Sequence, residues 1–224
     1  MNRRPDGWPD VARSGVDTVV ITIRHTEGPG QQGELAAAAV AERQQEVWPR
    51  GLLGWALFTG TDGRALLAYE QWSDDDALDT ALAGPVPYVP GIPGTEAAAP
   101  VRYRPVRSFP GGAPGETAGC LVTPVFDTDG PERQRHFLDT LFTMADDDAT
   151  RDVGQMPGAL SAYFHISVDG TRVLGYAEWT DEAAHLAAVG AQDTAASRQR
   201  LTGEIPGVRP SGHHRWRPHT ALTT

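Results

Sequence analysis

Five kinds of side chain in this sequence could together hold an aromatic ligand, move protons and bind an anion. Trp72 and Trp179 each close a short apolar run, Leu66-Leu67-Ala68-Tyr69-Glu70-Gln71-Trp72 and Val173-Leu174-Gly175-Tyr176-Ala177-Glu178-Trp179. Their indoles, with Tyr69 and Tyr176 three residues earlier, offer faces for an aromatic ligand. Glu70, Tyr163 and His165 could move protons, and His165 is the best acid/base candidate because an unperturbed imidazole titrates near neutrality. Arg104 and Arg217, near the end of each half, could hold an oxyanion. His165, Trp179, Tyr163 and Glu70 are therefore the candidate catalytic residues, and Trp72, Tyr69, Tyr176, Arg104 and Arg217 the candidate substrate-binding residues. Each also has a plainer reading: a hydrogen-bonded histidine, a wall-lining carboxylate, a surface ion pair, an indole packed under a helix.

Strand alternation sets which of these share a face. Ala68, Glu70 and Trp72 point one way, as do Gly175, Ala177 and Trp179, so a small residue stands four before each tryptophan and could leave a hollow beside the indole. Tyr163 and His165 share a face with Ser161 and Ser167. We expect them beside the Trp179 hollow, which makes the second half the richer site. Arg102 pairs in direction with Arg104, and Arg215 with Arg217. No metal is expected: His213 and His214 are adjacent and point apart in an extended chain, and Asp146-Asp147-Asp148 reads as a solvated helix end without the spaced ligands and glycine of a calcium loop. There is no Cys/His cluster, phosphate-cradling glycine loop or nucleophile elbow.

The elements that would position these residues occur twice. Gly51, Leu53, Asp62, Tyr69 and Trp72 match Gly158, Leu160, Asp169, Tyr176 and Trp179 at one constant spacing. Thr26-Glu27-Gly28-Pro29 matches Thr128-Asp129-Gly130-Pro131, Val89-Pro90-Gly91-Ile92 matches Ile205-Pro206-Gly207-Val208, and Arg102-Tyr103-Arg104-Pro105 matches Arg215-Trp216-Arg217-Pro218, all in chain order. Asp62-Gly63 and Asp169-Gly170 between apolar runs predict hairpins. In the first repeat we expect a loose polar lead over 1–16, strands over 17–24, 52–59, 64–72 and 101–108, and helices over 32–48 and from a Ser73 cap to about Leu82. In the second we expect strands over 120–126 (an edge, given Pro124), 159–168, 171–179 and 215–220, and helices over 131–148 and after a Thr180 cap. Each repeat is thus β-α-β-β-α-β, a ferredoxin-like order. The domains are 1–110 and 120–224, with 111–119 as linker.

The chain has 224 residues, 40% of them hydrophobic, enough for two domains of about 100 residues with their own cores. A net charge of −10 argues against nucleic acid and anionic membranes as partners. A single cysteine excludes an intrachain disulfide and, with no apolar leader at Met1 to Ser14 and no run long enough to span a bilayer, points to the cytoplasm.

Strand, helix, Pro157-Gly158-Ala159-Leu160, the Asp-Gly hairpin, the Tyr-x-x-Trp strand end and the Arg-Tyr-Arg-Pro final strand resemble the antibiotic biosynthesis monooxygenase family over nearly the whole chain, as two fused copies. The resemblance implies an α+β fold in which the two tandem ferredoxin-like repeats pack sheet to sheet as an intrachain α+β barrel. It implies a monooxygenase that tailors a polycyclic aromatic polyketide in antibiotic or pigment biosynthesis, by hydroxylation or quinone formation with molecular oxygen as co-substrate and no tightly bound cofactor. In the cofactor-independent members an asparagine stands four before the tryptophan; here the positions are Ala68 and Gly175. That departure raises an alternative, a reduced-flavin-dependent ring-cleaving oxygenase of the angucycline type, with reduced flavin as a diffusible co-substrate and a flavin reductase as partner. The same barrel also suits a non-redox polyketide cyclase or isomerase, or a non-catalytic binding protein. A homo-oligomer is compatible with every one of these functions. Haem-degrading relatives use a histidine on the helix after the tryptophan, where this chain has His185 in one repeat and Leu78 in the other.

Overall fold

The computed structural model describes residues 7–85, 88–93, 99–110, 116–146, 156–191 and 205–224. Residues 111–115 of the expected linker, and Asp147-Asp148, lie outside them. The order is β1 (Thr18–His25), α1 (Pro29–Gln45), β2 (Leu52–Gly60), β3 (Ala65–Trp72), α2 (Asp75–Leu82), β4 (Val101–Pro110), β5 (Cys120–Thr128), α3 (Pro131–Asp146), β6 (Ala159–Ser167), β7 (Arg172–Trp179), α4 (Glu182–Ala191) and β8 (Val208–Thr223). This is the α+β class, with β-α-β-β-α-β occurring twice.

The chain forms two compact units, residues 3–105 with 216–224, and residues 106–215. In the first unit the strand order is β4–β1–β3–β2–β8, and in the second β8–β5–β7–β6–β4. The last strand of each repeat thus contributes to both units. β4 lies on β1 through Val19↔Tyr103 and Ile21↔Val101, then continues into the second unit, where Phe109 stacks on Phe142 at 3.9 Å. β8 ends in the first unit, running along β2 from Gly60↔Trp216 to Gly54↔Thr223. β8 exceeds the expected 215–220 at both ends: β2 holds its last residues, to Thr223, and its other neighbour is β5.

Local chemistry builds the two hairpins alike. The Asp62 carboxylate accepts from Arg64 N at 2.9 Å, and that of Asp169 from Thr171 N at 3.0 Å. A glutamine from the first helix of each repeat clamps the hairpin: Gln32 Nε2 donates to the carbonyls of Gly60 and Ala65, and Gln134 Nε2 to those of Ser167 and Arg172. Gly51 and Gly158 enter β2 and β6 at φ +90° and +84°, where a Cβ would stand 2.5 Å from Ala77 and 2.6 Å from Ala184. Only glycine meets both the dihedral and the close approach of the second helix.

Four expectations need correction. The lead is docked rather than loose from residue 7 on: Trp8 and Val11 are buried, Trp8 meets Phe58 edge-on at 5.8 Å, and Gln71 Nε2 donates to Asp10 O at 2.7 Å. Apolar burial outweighs the glycines and prolines around it. The helix caps are Asp74 and Asp181, one residue beyond Ser73 and Thr180, accepting from Ala77 N and Ala184 N. A carboxylate at this place also complements the helix dipole. The first helix starts at Pro29, a favoured first-turn residue, and ends at Gln45. β5 is not an edge, having β8 and β7 on its two sides. Pro124 is accommodated because it faces Gly175, whose missing Cβ would stand 2.9 Å from its ring.

Candidate active site

In the first unit, α1 lies over the sheet through Gln32, Ala36, Ala39 and Arg43, a buried stripe at helical spacing. The alanines pack on Trp55, Leu57, Leu66 and Ala68. At the end of the stripe the packing turns ionic. Glu70 follows Ala68 on the same strand face, and both Glu70 and Arg43 are 0% exposed.

The Glu70 carboxylate is held on all sides. Oε1 accepts from Gly91 N at 2.6 Å and from the Tyr88 hydroxyl at 3.1 Å; Oε2 accepts from Trp72 Nε1 at 3.1 Å. Arg43 Nη2 stands 3.6 Å from Oε1 and donates to Gly91 O at 3.2 Å, while Nη1 pairs with Glu46 at 2.6 Å. The guanidinium also lies over the Tyr88 ring at 4.8 Å and the Trp55 ring at 5.5 Å. Removal from water pushes the Glu70 carboxyl above its ordinary range, and this outweighs the lowering by Arg43 and the three donors. Tyr88 is raised likewise, by burial first and by the neighbouring Glu70 charge, so it keeps its proton.

A pocket of about 810 Å³ opens beside this network, between the end of α1, α2 and the segment around Tyr88. Trp48, Pro49, Ala77, Ala81, Pro85 and Tyr88 give it an apolar wall, and Glu42, Glu46 and Arg50 a charged border. Tyr88 belongs to both: its ring lines the pocket and its hydroxyl reaches Glu70. Trp72 stands behind Tyr88, edge to face at 5.3 Å, and is 0% exposed. Apolar walls with one polar device suit a flat ring that gives up a proton.

The structure brings Glu70 and Trp72 together and separates the rest. Tyr69 is on the opposite face of β3, between Ile21 and Ala56. Arg104 is bound to both oxygens of Asp75 and to Thr18. Its hydrogen bonds hold the Asp75 carboxyl down to about 2. Arg217 lies on β8 opposite Thr59.

In the second unit the grouping of Tyr163 and His165 with Trp179 is overturned. Cross-strand partners share a face, and the pairs are Tyr163↔Tyr176 and His165↔Leu174, whereas Trp179's face carries Ala177 and Gly175 opposite Ala162 and Phe164. The hairpin register therefore sets Tyr163, His165 and Tyr176 on the side away from Trp179. His165 is 0% exposed and burial lowers its pKa to about 4, so it is neutral at pH 7. Nor does the Gly175 position leave a hollow, since Pro124 and Phe164 fill it. Trp179 instead meets His185 edge-on at 4.9 Å, and His185 Nδ1 accepts from Arg215 Nε at 2.9 Å.

Arg43 and Tyr88 were missed in the sequence. Arg43 carried a usable signal, since it continues the Ala36–Ala39 core spacing and so puts a charge where a core residue belongs. Tyr88 stands in a proline-rich loop and carried none. Among the described residues no group of three His, Cys, Asp or Glu side chains is placed to hold a metal, and no helix is long and apolar enough to cross a membrane.

No family model matches the chain. Over 53 residues, 24% of this chain, it is 43% identical to the Tetracenomycin-F1 monooxygenase of Streptomyces glaucescens, and the match spans 44% of that protein, less than half its length. Among solved structures, an anthrone oxidase-like protein superposes with a TM-score of 0.70 at 18% identity, over 92% of this chain and 93% of that one. A major regulator of staphylococcal pathogenesis superposes with a TM-score of 0.50 at 12% identity, over 90% and 99%. These likenesses carry the fold, and the fold serves more than one role.

Proposed function

We propose that this chain, a relative of the antibiotic biosynthesis monooxygenases in fold and in local sequence, is an oxygenase acting on a polycyclic aromatic polyketide, with its working site in the pocket of the first unit. The observation that carries this reading is the buried Glu70, joined through the Tyr88 hydroxyl to an apolar pocket of ring-binding character. The sequence similarity to Tetracenomycin-F1 monooxygenase supports the substrate class.

The chemistry follows from the geometry. A ring system rests against Trp48 and Tyr88 with its ionisable edge toward the Tyr88 hydroxyl. That hydroxyl passes its proton to Glu70 Oε1 as it takes one from the substrate, and the raised proton affinity of Glu70 suits it to receive it. The substrate anion reduces molecular oxygen and forms a peroxide at the ring carbon. Return of a proton through Tyr88 releases water and leaves a carbonyl, so a ring methylene and one O₂ give a quinone and one H₂O. Arg43, over the Tyr88 face, stabilises negative charge on this relay.

The pocket border sets Glu42 and Glu46 against Arg50, a poor cradle for a flavin phosphate. We therefore assign the electrons to the substrate. Oxygen uptake by purified protein with an anthrone substrate tests this: the reading expects one O₂ consumed per quinone with no reductant added. Uptake that requires reduced flavin would move the assignment to the flavin-dependent reaction, and no uptake under either condition would remove the oxygenase reading.

A further inference from the structure

Arg43 is the charged member of the buried stripe on α1, and its guanidinium stands between two carboxylates. Nη1 donates to Glu46 at 2.6 Å, a short charge-assisted hydrogen bond. Nη2 gives its hydrogen bond to Gly91 O at 3.2 Å and stands 3.6 Å from Glu70 Oε1, beyond hydrogen-bond reach. Nε has no hydrogen-bond partner among the described residues. The fully buried pair is thus the looser one, and the tighter partner is a carboxylate at the pocket border.

Glu46 stands at the unfavourable end of a helix for its charge. It is the C-cap of α1, where the helix dipole disfavours an anion. Its side chain is 35% exposed and borders the pocket. Just beyond it the chain is pinned back, with Trp48 Nε1 donating to Arg43 O at 3.2 Å. The local helix chemistry gives no reason for a carboxylate here; the bond to Arg43 does.

Little else near Glu70 is charged. α1 presents Arg43 and, behind it, Glu46; the segment after α2 presents the Tyr88 hydroxyl and Gly91 N. Its strand neighbours are Val20 on β1 and Trp55 on β2. α2 meets Trp72 through Leu78, while its Asp75 is engaged by Arg104. The charge balance on Glu70 therefore depends on how much of Arg43 it receives. An arginine drawn fully onto Glu70 would hold the carboxyl down, as in an ordinary ion pair, against the rise that burial causes.

We infer that Glu46 is a positioning residue of the pocket: it holds the Arg43 guanidinium off Glu70, so that Glu70 serves as a proton acceptor rather than as the fixed anion of an ion pair. This role rests on the oxygenase reading, in which Glu70 takes the proton from Tyr88. The full chain is followed by infrared spectroscopy against pH, reading the carbonyl stretch of the protonated Glu70 carboxyl as the band that Glu70→Gln removes. Glu46→Gln lowers the midpoint of that band by about one pH unit, because Arg43 turns to its remaining carboxylate. Glu46→Asp, which keeps a carboxylate beside Arg43, recovers most of the shift. Glu34→Gln, which removes an exposed charge from the same helix, leaves the midpoint in place. Oxygen uptake with an anthrone substrate carries the matching signature: in Glu46→Gln the low-pH limb of kcat moves down with the midpoint, and the plateau falls because a weaker base takes the proton. An unmoved or raised midpoint in Glu46→Gln, or an equal fall in Glu34→Gln, overturns the role of Glu46. A lowered midpoint with no oxygen uptake even by the wild type keeps the hold of Glu46 on Arg43 and removes the oxygenase reading instead.

Discussion

Two residues before the tryptophan, the first unit carries Glu70 and the second Ala177. On the first helix the matching pair is Arg43 and Ala145. Charge and countercharge are present together in one copy and absent together in the other. A lone buried ion costs several kcal/mol of desolvation, so neither half of such a pair survives without the other. The second helix shows the opposite trade, Leu78 and Asp79 in one copy against His185 and Leu186 in the other. One scaffold, with the same hairpin turns, glutamine clamps and glycines, thus carries a buried glutamate–arginine network in one unit and an arginine–histidine contact in the other. The repeated residues build the frame, and the residues that differ set the charge and packing around each tryptophan.

The comparison breaks most sharply at the buried pair. Glu70→Ala makes the first unit like the second on one side only and leaves the buried Arg43 with the partly exposed Glu46 as its carboxylate partner, which is expected to destabilise the protein by about 3 kcal/mol in urea unfolding. Adding Arg43→Ala completes the imitation, and the double variant is expected to lose less than the two single losses added together. Strict additivity would mean that the two charges do not depend on each other.

A second difference lies on the face away from the helices, where His165 stands for Phe58. Unfolded, His165 titrates near 6.5, and folded near 4. Between these values the unfolded chain binds a proton that the folded chain excludes. Its contribution is therefore complete above pH 6.5 and is lost as pH falls toward 4. His165→Phe, copying the first unit, is expected to flatten stability against pH over this window by about 3 kcal/mol. An unchanged slope would mean that His165 stays protonated in the fold.

The smallest effect concerns likeness rather than difference. Gly51→Ala and Gly158→Ala meet the same φ and the same helix alanine, so each is expected to cost about 1–2 kcal/mol, and the two to agree within about 0.5 kcal/mol. A loss confined to one copy would show that the frames are less alike than their geometry.

What the sequence made legible was local. Asp-Gly turns, proline and glycine punctuation and apolar alternation marked both hairpins and all four helices, because each rests on residues close in sequence, and the matched spacings marked the duplication. The end of β8 was not legible, since its pairing with β2 joins residues far apart along the chain. The grouping of His165 and Tyr163 with Trp179 failed for a related reason. Alternation orders residues within one strand, but only the hairpin register says which face of the next strand they meet. Glu70 and Trp72 were legible as a pair on one strand face. Their partners Arg43, Tyr88 and the Gly91 amide come from a helix and a loop, and only folding brings them together.

In the proposed function Tyr88 carries protons between the pocket and Glu70. Tyr88→Phe keeps the ring against Trp72 and Arg43 and removes only the hydroxyl. Steady-state oxygen uptake with an anthrone substrate measures the consequence. kcat is expected to fall on the order of 100-fold with KM changed less than about threefold, the signature of a lost proton transfer rather than lost binding. A Tyr88→Phe protein that consumes oxygen at the wild-type rate would contradict it.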